Sequence, residues 1–440
     1  MTFTLGLLLA TGVLAGLLIS LVFPLRLLTF LAGGLSTLQI YTLPIGNVFF
    51  SASHLGGLGA WRVLGKQDVW SFGWYRAIAA LVLIQALAML WSPEPFLAFR
   101  QVIYWLPFLF VVPAVIEMSV RDRAFVEKII RIALITSAIE AMLVIAFRVS
   151  PELEGMFLSS PISRLFISAK LLSEVGNGAY TVFDPGKAGG VFINANVASA
   201  FLGFSAMVAW GVARAFKSKL LLWIGVLDIA AVFFTGSKAG MALAVFFPAL
   251  IFSRHVIRSG QVNIKFAAAA CFLSAAIGLA LYLGYEYFLE SRYVANSEKT
   301  LSYRLAIWEF AWIVLQKNPF IGIGFGGWEL DWPVFARSRG LNPFFPPHNS
   351  FIAIYAQSGL IAVTLGFIYC FSILRYLWRT LKVNDPEVKR LGEGLLCAVL
   401  WMLIQSQAEN YGLIGEVHLT PLLATVLGYM VFRFRELNEK

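Results

Sequence analysis

Apolar residues run in blocks long enough to cross a bilayer, separated by polar turns, from one end of the chain to the other. A spanning helix needs about 20 predominantly apolar residues. By that measure the pattern predicts about twelve spans, over 3–23, 27–50, 75–92, 98–118, 129–147, 190–213, 220–236, 239–253, 266–288, 349–374, 393–410 and 418–433. The first block lacks a basic leading region and a small-residue cleavage site, so it reads as a retained helix rather than a signal peptide. The predicted fold is therefore all-α, a single polytopic membrane unit over 1–440. Two connections, 148–189 and 289–348, are too long to be turns and form extended loops on one side. The second contains "SYRLAIWEFAWIVLQKNPF", whose Leu305, Trp308, Trp312 and Leu315 recur at helical spacing, as in a helix lying along the membrane interface.

Composition agrees with the pattern. Of 440 residues, 59% are apolar and 13% charged, against about 25% charged in an ordinary soluble protein. Too little polar surface remains to coat a water-soluble globule. A soluble enzyme, a secreted disulfide scaffold and a disordered tail are all excluded. Cys271, Cys370 and Cys397 stand in apolar runs without paired spacing, which suggests neither disulfides nor a zinc site.

The net charge of +10 could point to nucleic acid, but its placement does not. Arg and Lys concentrate in alternate short connections, around 62–66, 121–128, 214–219, 254–265, 375–390 and 433–440. The short connections of the other side hold Arg26, Arg100 and Lys238. This positive-inside asymmetry predicts that both termini are cytoplasmic and that both long loops face the opposite, periplasm-like compartment, with membrane lipid rather than nucleic acid as the basic residues' partner.

Three signals fall on that outer side. Lys238 stands in "TGSKAG", where Gly236 and Gly240 allow a tight turn before a helix start that suits an anion. An isolated lysine there serves equally well as a snorkelling interface residue. Arg304, in "LSYRLAIWEFAW" before the Gly-rich "NPFIGIGFGGW", offers a planar fork for phosphate oxygens. It could also cap its helix or meet lipid headgroups. His348, in "FFPPHNSF", sits behind two prolines at the start of a span with Asn349. A neutral imidazole can take the proton of an attacking hydroxyl, while a lone histidine at a helix start often simply caps it. Asn194 and Asn196 ("FINAN") and Ser237 supply further polar groups at the same level. Together these describe two cations and a base suited to transfer from a lipid-linked pyrophosphate, with no metal or cofactor required. Glu140 and Asp228 fall near mid-bilayer, where carboxylates mark a function or a buried pair.

"FINAN", "TGSKAG", "YRLAIWEFAW" with "NPFIGIGFGGW", and "PPHNSFIAIYAQSGLIAV" make residues 190–360 resemble the O-antigen ligase and Wzy-type polymerase superfamily. The resemblance implies an inverting, metal-independent glycosyltransferase of the GT-C type in the bacterial inner membrane, with its active site facing the periplasm. It implies His348 as general base and Arg304 and Lys238 as donor pyrophosphate ligands, with Asn194, Asn196, Ser237 and Asn349 in support. The donor would be an undecaprenyl-pyrophosphate-linked glycan, and the acceptor lipid A-core for a ligase or a second lipid-linked glycan for a polymerase. The compact chain and moderate outer loop favour the ligase. The family pattern has Ser-Arg where this chain has Ser237-Lys238, which keeps the charge and loses the bidentate fork. A secondary transporter is the rival from another class, but its site would lie at the midplane between repeated halves, and no repeat is visible.

Overall fold

The computed structural model describes residues 18–38, 41–45, 48–168, 186–259, 292–407, 411–412 and 416–438, with isolated positions 14, 16, 172, 173, 175 and 409. In chain order its helices are α1 (Leu25–Thr29, continued by a π turn Phe30–Gly34), α2 (Ala52–Gly59), α3 (Gly73–Leu87), α4 (Pro95–Arg121), α5 (Arg123–Val149), α6 (Pro151–Ser159), α7 (Ser163–Phe166), α8 (Ala195–Ala215), α9 (Lys219–Thr235), α10 (Lys238–Ser259), α11 (Arg292–Lys317), α12 (Gly327–Ser338), α13 (Ser350–Thr380), α14 (Pro386–Gln405) and α15 (Leu419–Asn438). Among the described residues, five stretches are long and apolar enough to cross a membrane: Gly73–Leu90, Pro95–Arg121, Arg123–Val149, Ala195–Ala215 and Ser350–Thr380. The chain is thus a helical, multi-pass membrane protein. Helices α9, α10, α14 and α15 fall on the expected spans 220–236, 239–253, 393–410 and 418–433, while 266–288 and most of 3–23 lie outside the described residues.

The expected span over 27–50 is not a helix. After α1 and its π turn, the chain forms strands β1 (Tyr41–Ile45) and β2 (Val48–Ser51), paired antiparallel with Ile45 opposite Val48. It then returns through α2. Arg26 pairs with Asp122 at the α4–α5 turn, 3.2 Å away, and Gln67 donates to Glu117 at 2.9 Å. Both ends of this excursion therefore meet the same end of α4. The sequence basis is close approach: a Cβ on Gly56 would stand 2.5 Å from the Leu28 carbonyl, and one on Gly57 2.8 Å from Pro107. Two sequence-based placements change with it. Arg26 joins the basic connections instead of the outer ones, and His54, which the span pattern puts in the inner connection after 27–50, has its ring 5.2 Å from that of Tyr104 in the first half of α4.

The molecule has two chemically different ends. At one, arginines meet carboxylates: Arg123 with Glu127 and Glu387, Arg214 with Glu393, and Arg433 with Glu387 and Glu436. The Tyr429 hydroxyl bonds to Glu127 and Glu387 in the same group. These contacts tie the starts of α5 and α14 to the end of α15. The opposite end carries the starts of α8 and α13 and the end of α14.

Helices α8 and α14 run antiparallel between the two ends, and small residues set their distance. A Cβ on Gly211 would stand 2.7 Å from Gly394 Cα, and Gly203 lies directly against the Trp401 ring. Backbones in lipid pack this closely only where side chains are absent. Gly394→Val should therefore destabilise the fold by about 1–3 kcal/mol, read as a lower unfolding midpoint in detergent. An unchanged midpoint would mean the two helices do not touch there.

Candidate active site at the end opposite the paired arginines

Two helix starts at this end are built the same way. Asn194 caps α8, its Oδ1 accepting from the Asn196 and Val197 amides at 2.9 and 3.3 Å. Asn349 caps α13, its Oδ1 accepting from the Phe351 and Ile352 amides at 2.9 and 3.1 Å. Asparagine suits this task because its short carboxamide reaches the unpaired first-turn N–H groups. In each case the preceding residue has positive φ: Ile193 at 59° and His348 at 46°. Side chains rarely adopt that region, a β-branched one least of all, and such strain gathers at functional sites.

The last residue of α14 and the segment after it join the two starts. Gln405 Nε2 donates to Ser199 Oγ at 2.7 Å and to the Asn196 carbonyl at 3.1 Å. The Ser350 amide donates to the Ser406 carbonyl at 3.0 Å, and Asn349 Nδ2 to the Gln407 side chain at 3.3 Å. Glu409 then bridges the site itself. Its Oε1 accepts from Asn196 Nδ2 at 2.7 Å, and its Oε2 lies 3.3 Å from His348 Nδ1. His348 and Glu409 are partly buried, with 23% and 14% of their side chains exposed.

Lys238 and Arg304 are tied to this group through their neighbours. Lys238 is the exposed first residue of α10, and Ser237 before it is buried, its hydroxyl accepting from the Gly240 amide at 3.4 Å. A Cβ on Gly240 would stand 2.6 Å from Ser199 Oγ, so the first turn of α10 packs one turn along α8 from Asn196. The turn before it has no room at Gly236, where φ is 74° and a Cβ would strike the Gly186 carbonyl. Lys187 packs over the same glycine, and its charge acts on Lys238. Arg304 is half-buried on α11 beside Tyr303. The Tyr303 ring stacks on Phe345 at 4.7 Å, and Phe345 lies 4.4 Å from the His348 ring. On the same helix Ile307, Phe310 and Val314 are buried, while Leu305, Trp308 and Trp312 are more than half exposed. An apolar face left outward beside a packed one fits a helix at a membrane interface.

The Gly-rich block seats this assembly. Helix α13 is interrupted at Gly359 (φ 77°), where Phe320 lies in the space a side chain would fill. The Ile323 amide donates to the Ala356 carbonyl at 2.7 Å, and the Leu360 amide to the Pro319 carbonyl at 3.0 Å. Trp91 and Ser92 bind the block from the other side, through Trp91 Nε1 to the Ile321 carbonyl (2.9 Å) and the Phe325 amide to Ser92 Oγ (2.8 Å).

The two carboxylates expected near mid-bilayer, Glu140 and Asp228, are both buried. Glu140 Oε2 accepts from the Val191 amide at 3.1 Å and presses on Gly190, bracing the turn before Asn194. Asp228 Oδ2 accepts from Ser137 Oγ at 2.9 Å. Among the described residues, no group of three His, Cys, Asp or Glu side chains is arranged to hold a metal ion.

Comparison with known proteins bears on the same region. Residues 220–367 match the family model for O-antigen ligase. The chain carries an O-antigen ligase family segment. That segment runs from α9 into α13 and contains Ser237, Lys238, Arg304, His348 and Asn349. The match covers about a third of the chain. The search of curated proteins gave no match to the chain. Asn194, Asn196 and Glu409 lie outside the O-antigen ligase segment and reach it only through the fold. Sequence reasoning missed Glu409 and Lys187. The polar run "QSQAEN" closing an apolar span was the available signal for the former.

Removing the Glu409 carboxylate leaves Asn196 Nδ2 and His348 Nδ1 without their acceptor. Glu409→Ala should cost about 1–3 kcal/mol of stability, seen as a lowered unfolding midpoint. A midpoint equal to that of the parent would mean that this bridge does not form.

Proposed function

We propose that the chain transfers a glycan from an undecaprenyl-pyrophosphate-linked donor to an acceptor hydroxyl, as an O-antigen ligase with lipid A-core as acceptor. The observation that carries this reading is the bond between His348 and Glu409. With Nδ1–H donating to the carboxylate, Nε2 presents its lone pair, and the negative partner stabilises the imidazolium that forms. His348 takes the acceptor's proton as the acceptor oxygen bonds to the anomeric carbon. The bond from that carbon to the pyrophosphate breaks on the opposite face, its electrons pass to the phosphate, and configuration inverts. Arg304 and Lys238 hold the pyrophosphate and neutralise the charge that grows as it leaves. Asn194 and Asn349 set the two helix starts, Asn196 orients Glu409, and Ser237 shapes the Lys238 turn.

The same reading orients the protein. The end rich in arginine faces the cytoplasm by the positive-inside rule, with the C-terminal end of α15. His348 then faces the periplasm of a bacterial inner membrane, and 148–189 and 289–348 are its outer loops within one membrane unit. Residues 1–13, which carry the expectation for the N-terminus, lie outside the described residues.

In reconstituted vesicles with a lipid-pyrophosphate glycan, His348→Ala should lower transfer by about 10²–10⁴-fold while leaving the protein folded and inserted. Full activity in that variant would remove His348 from the mechanism. Arg304→Ala should impair donor use more than Arg304→Lys, which retains the charge; equal, negligible losses would put the anion site elsewhere. Supplying lipid A-core or a second donor as acceptor separates a single capped product from a ladder of lengthening chains, the latter belonging to a polymerase.

A further inference from the structure

The end with the paired arginines holds a cavity of about 250 Å³ between α3 and α13. Its lining is amphiphilic. Ser71, Ser372, Arg375 and Arg379 supply polar groups, and Phe72, Trp74, Phe371 and Tyr376 supply aromatic walls. Gly73 stands at the crossing, where a Cβ would meet Ser372 Oγ at ordinary contact distance, 3.7 Å.

Several features mark it as a site for an anion. Nearby arginines are committed to carboxylates, as Arg123, Arg214 and Arg433 show. Arg375 and Arg379, one helical turn apart, form no ion pair among the described residues, and both are exposed beside the same cavity. A third guanidinium, Arg435, lies 5.2 Å over the Phe72 ring, adding its charge from α15. The cavity also opens toward the lipid-facing surface, where Phe371 is 67% exposed.

We propose that this cavity binds the phosphate headgroup of an anionic phospholipid. Arg375 and Arg379 hold the phosphate oxygens through charge-assisted hydrogen bonds. Ser71 and Ser372 meet the glycerol and headgroup hydroxyls, and the aromatic wall lies against the first carbons of the acyl chains. The ligand's amphiphilic shape matches the lining, which a small hydrophilic anion would leave half unused. The site stands at the far end of α13 from His348 and does not depend on the glycan-transfer reading.

Native mass spectrometry of the full-length protein in detergent tests this, with thermal unfolding alongside. Phosphatidylglycerol should stay bound and raise the midpoint, while phosphatidylcholine and inorganic phosphate should not. Removing two basic contacts at roughly fivefold each, Arg375→Gln with Arg379→Gln should weaken phosphatidylglycerol binding about 25-fold. Ser372→Trp, which keeps both arginines and fills the cavity, should abolish it, and serves if the arginine variant does not fold. Equal retention of phosphatidylglycerol by the variants and the parent overturns the proposal, as does retention of phosphatidylcholine on the same scale. A midpoint rise from inorganic phosphate alone would identify a soluble anion as the ligand and overturn the lipid assignment.

Discussion

The bonds made by the last residue of α14 and the short stretch after it hold the polar end together. Gln405 reaches α8, Ser406 and Gln407 reach the start of α13, and Glu409 spans from Asn196 to His348. In a lipid environment a helix bundle gains little from apolar contact between helices, because lipid tails are as apolar as leucine. Polar groups that meet inside such a bundle therefore have a large say in where helix ends come to rest. Without these bonds, two asparagine-capped starts far apart in sequence would have no common reference.

The opposite end uses a different physics for a similar purpose. There, long side chains of opposite charge meet in a partly buried network around Tyr429, holding α5, α14 and α15 in register. Charge pairs tolerate small displacements, whereas the capped turns at the other end require fixed backbone geometry. One end is held by electrostatic attraction over several ångströms, the other by directional hydrogen bonds with two residues in a left-handed conformation.

What the sequence made legible follows from this division. Hydropathy located α3, α4, α5, α8 and α13 because burial in lipid or protein needs long apolar runs, and the caps Asn194 and Asn349 were readable from their position before such runs. It failed over 27–50, where apolar residues form a helix, a π turn and a hairpin. Apolarity alone does not distinguish a continuous span from a run that folds back on itself. Glu409 was hidden for a related reason. It lies just beyond α14 within an expected span, and its role depends on meeting Asn196 and His348, which are 213 and 61 residues away in sequence. Arg304 and Lys238 were singled out by residue type and local turn chemistry, while the routes joining them to His348 run through Tyr303, Phe345, Gly240 and Ser199, which carry no charge to notice.

The break at Gly359 gives α13 a property that a continuous helix would lack. The peptide dipoles of the first nine residues, Ser350–Ser358, end where the 319–323 turn wedges in, so their field at His348 is that of a short, separately terminated rod. The two chemical ends of the protein thus share one long element whose peptide dipoles do not add up along its whole length.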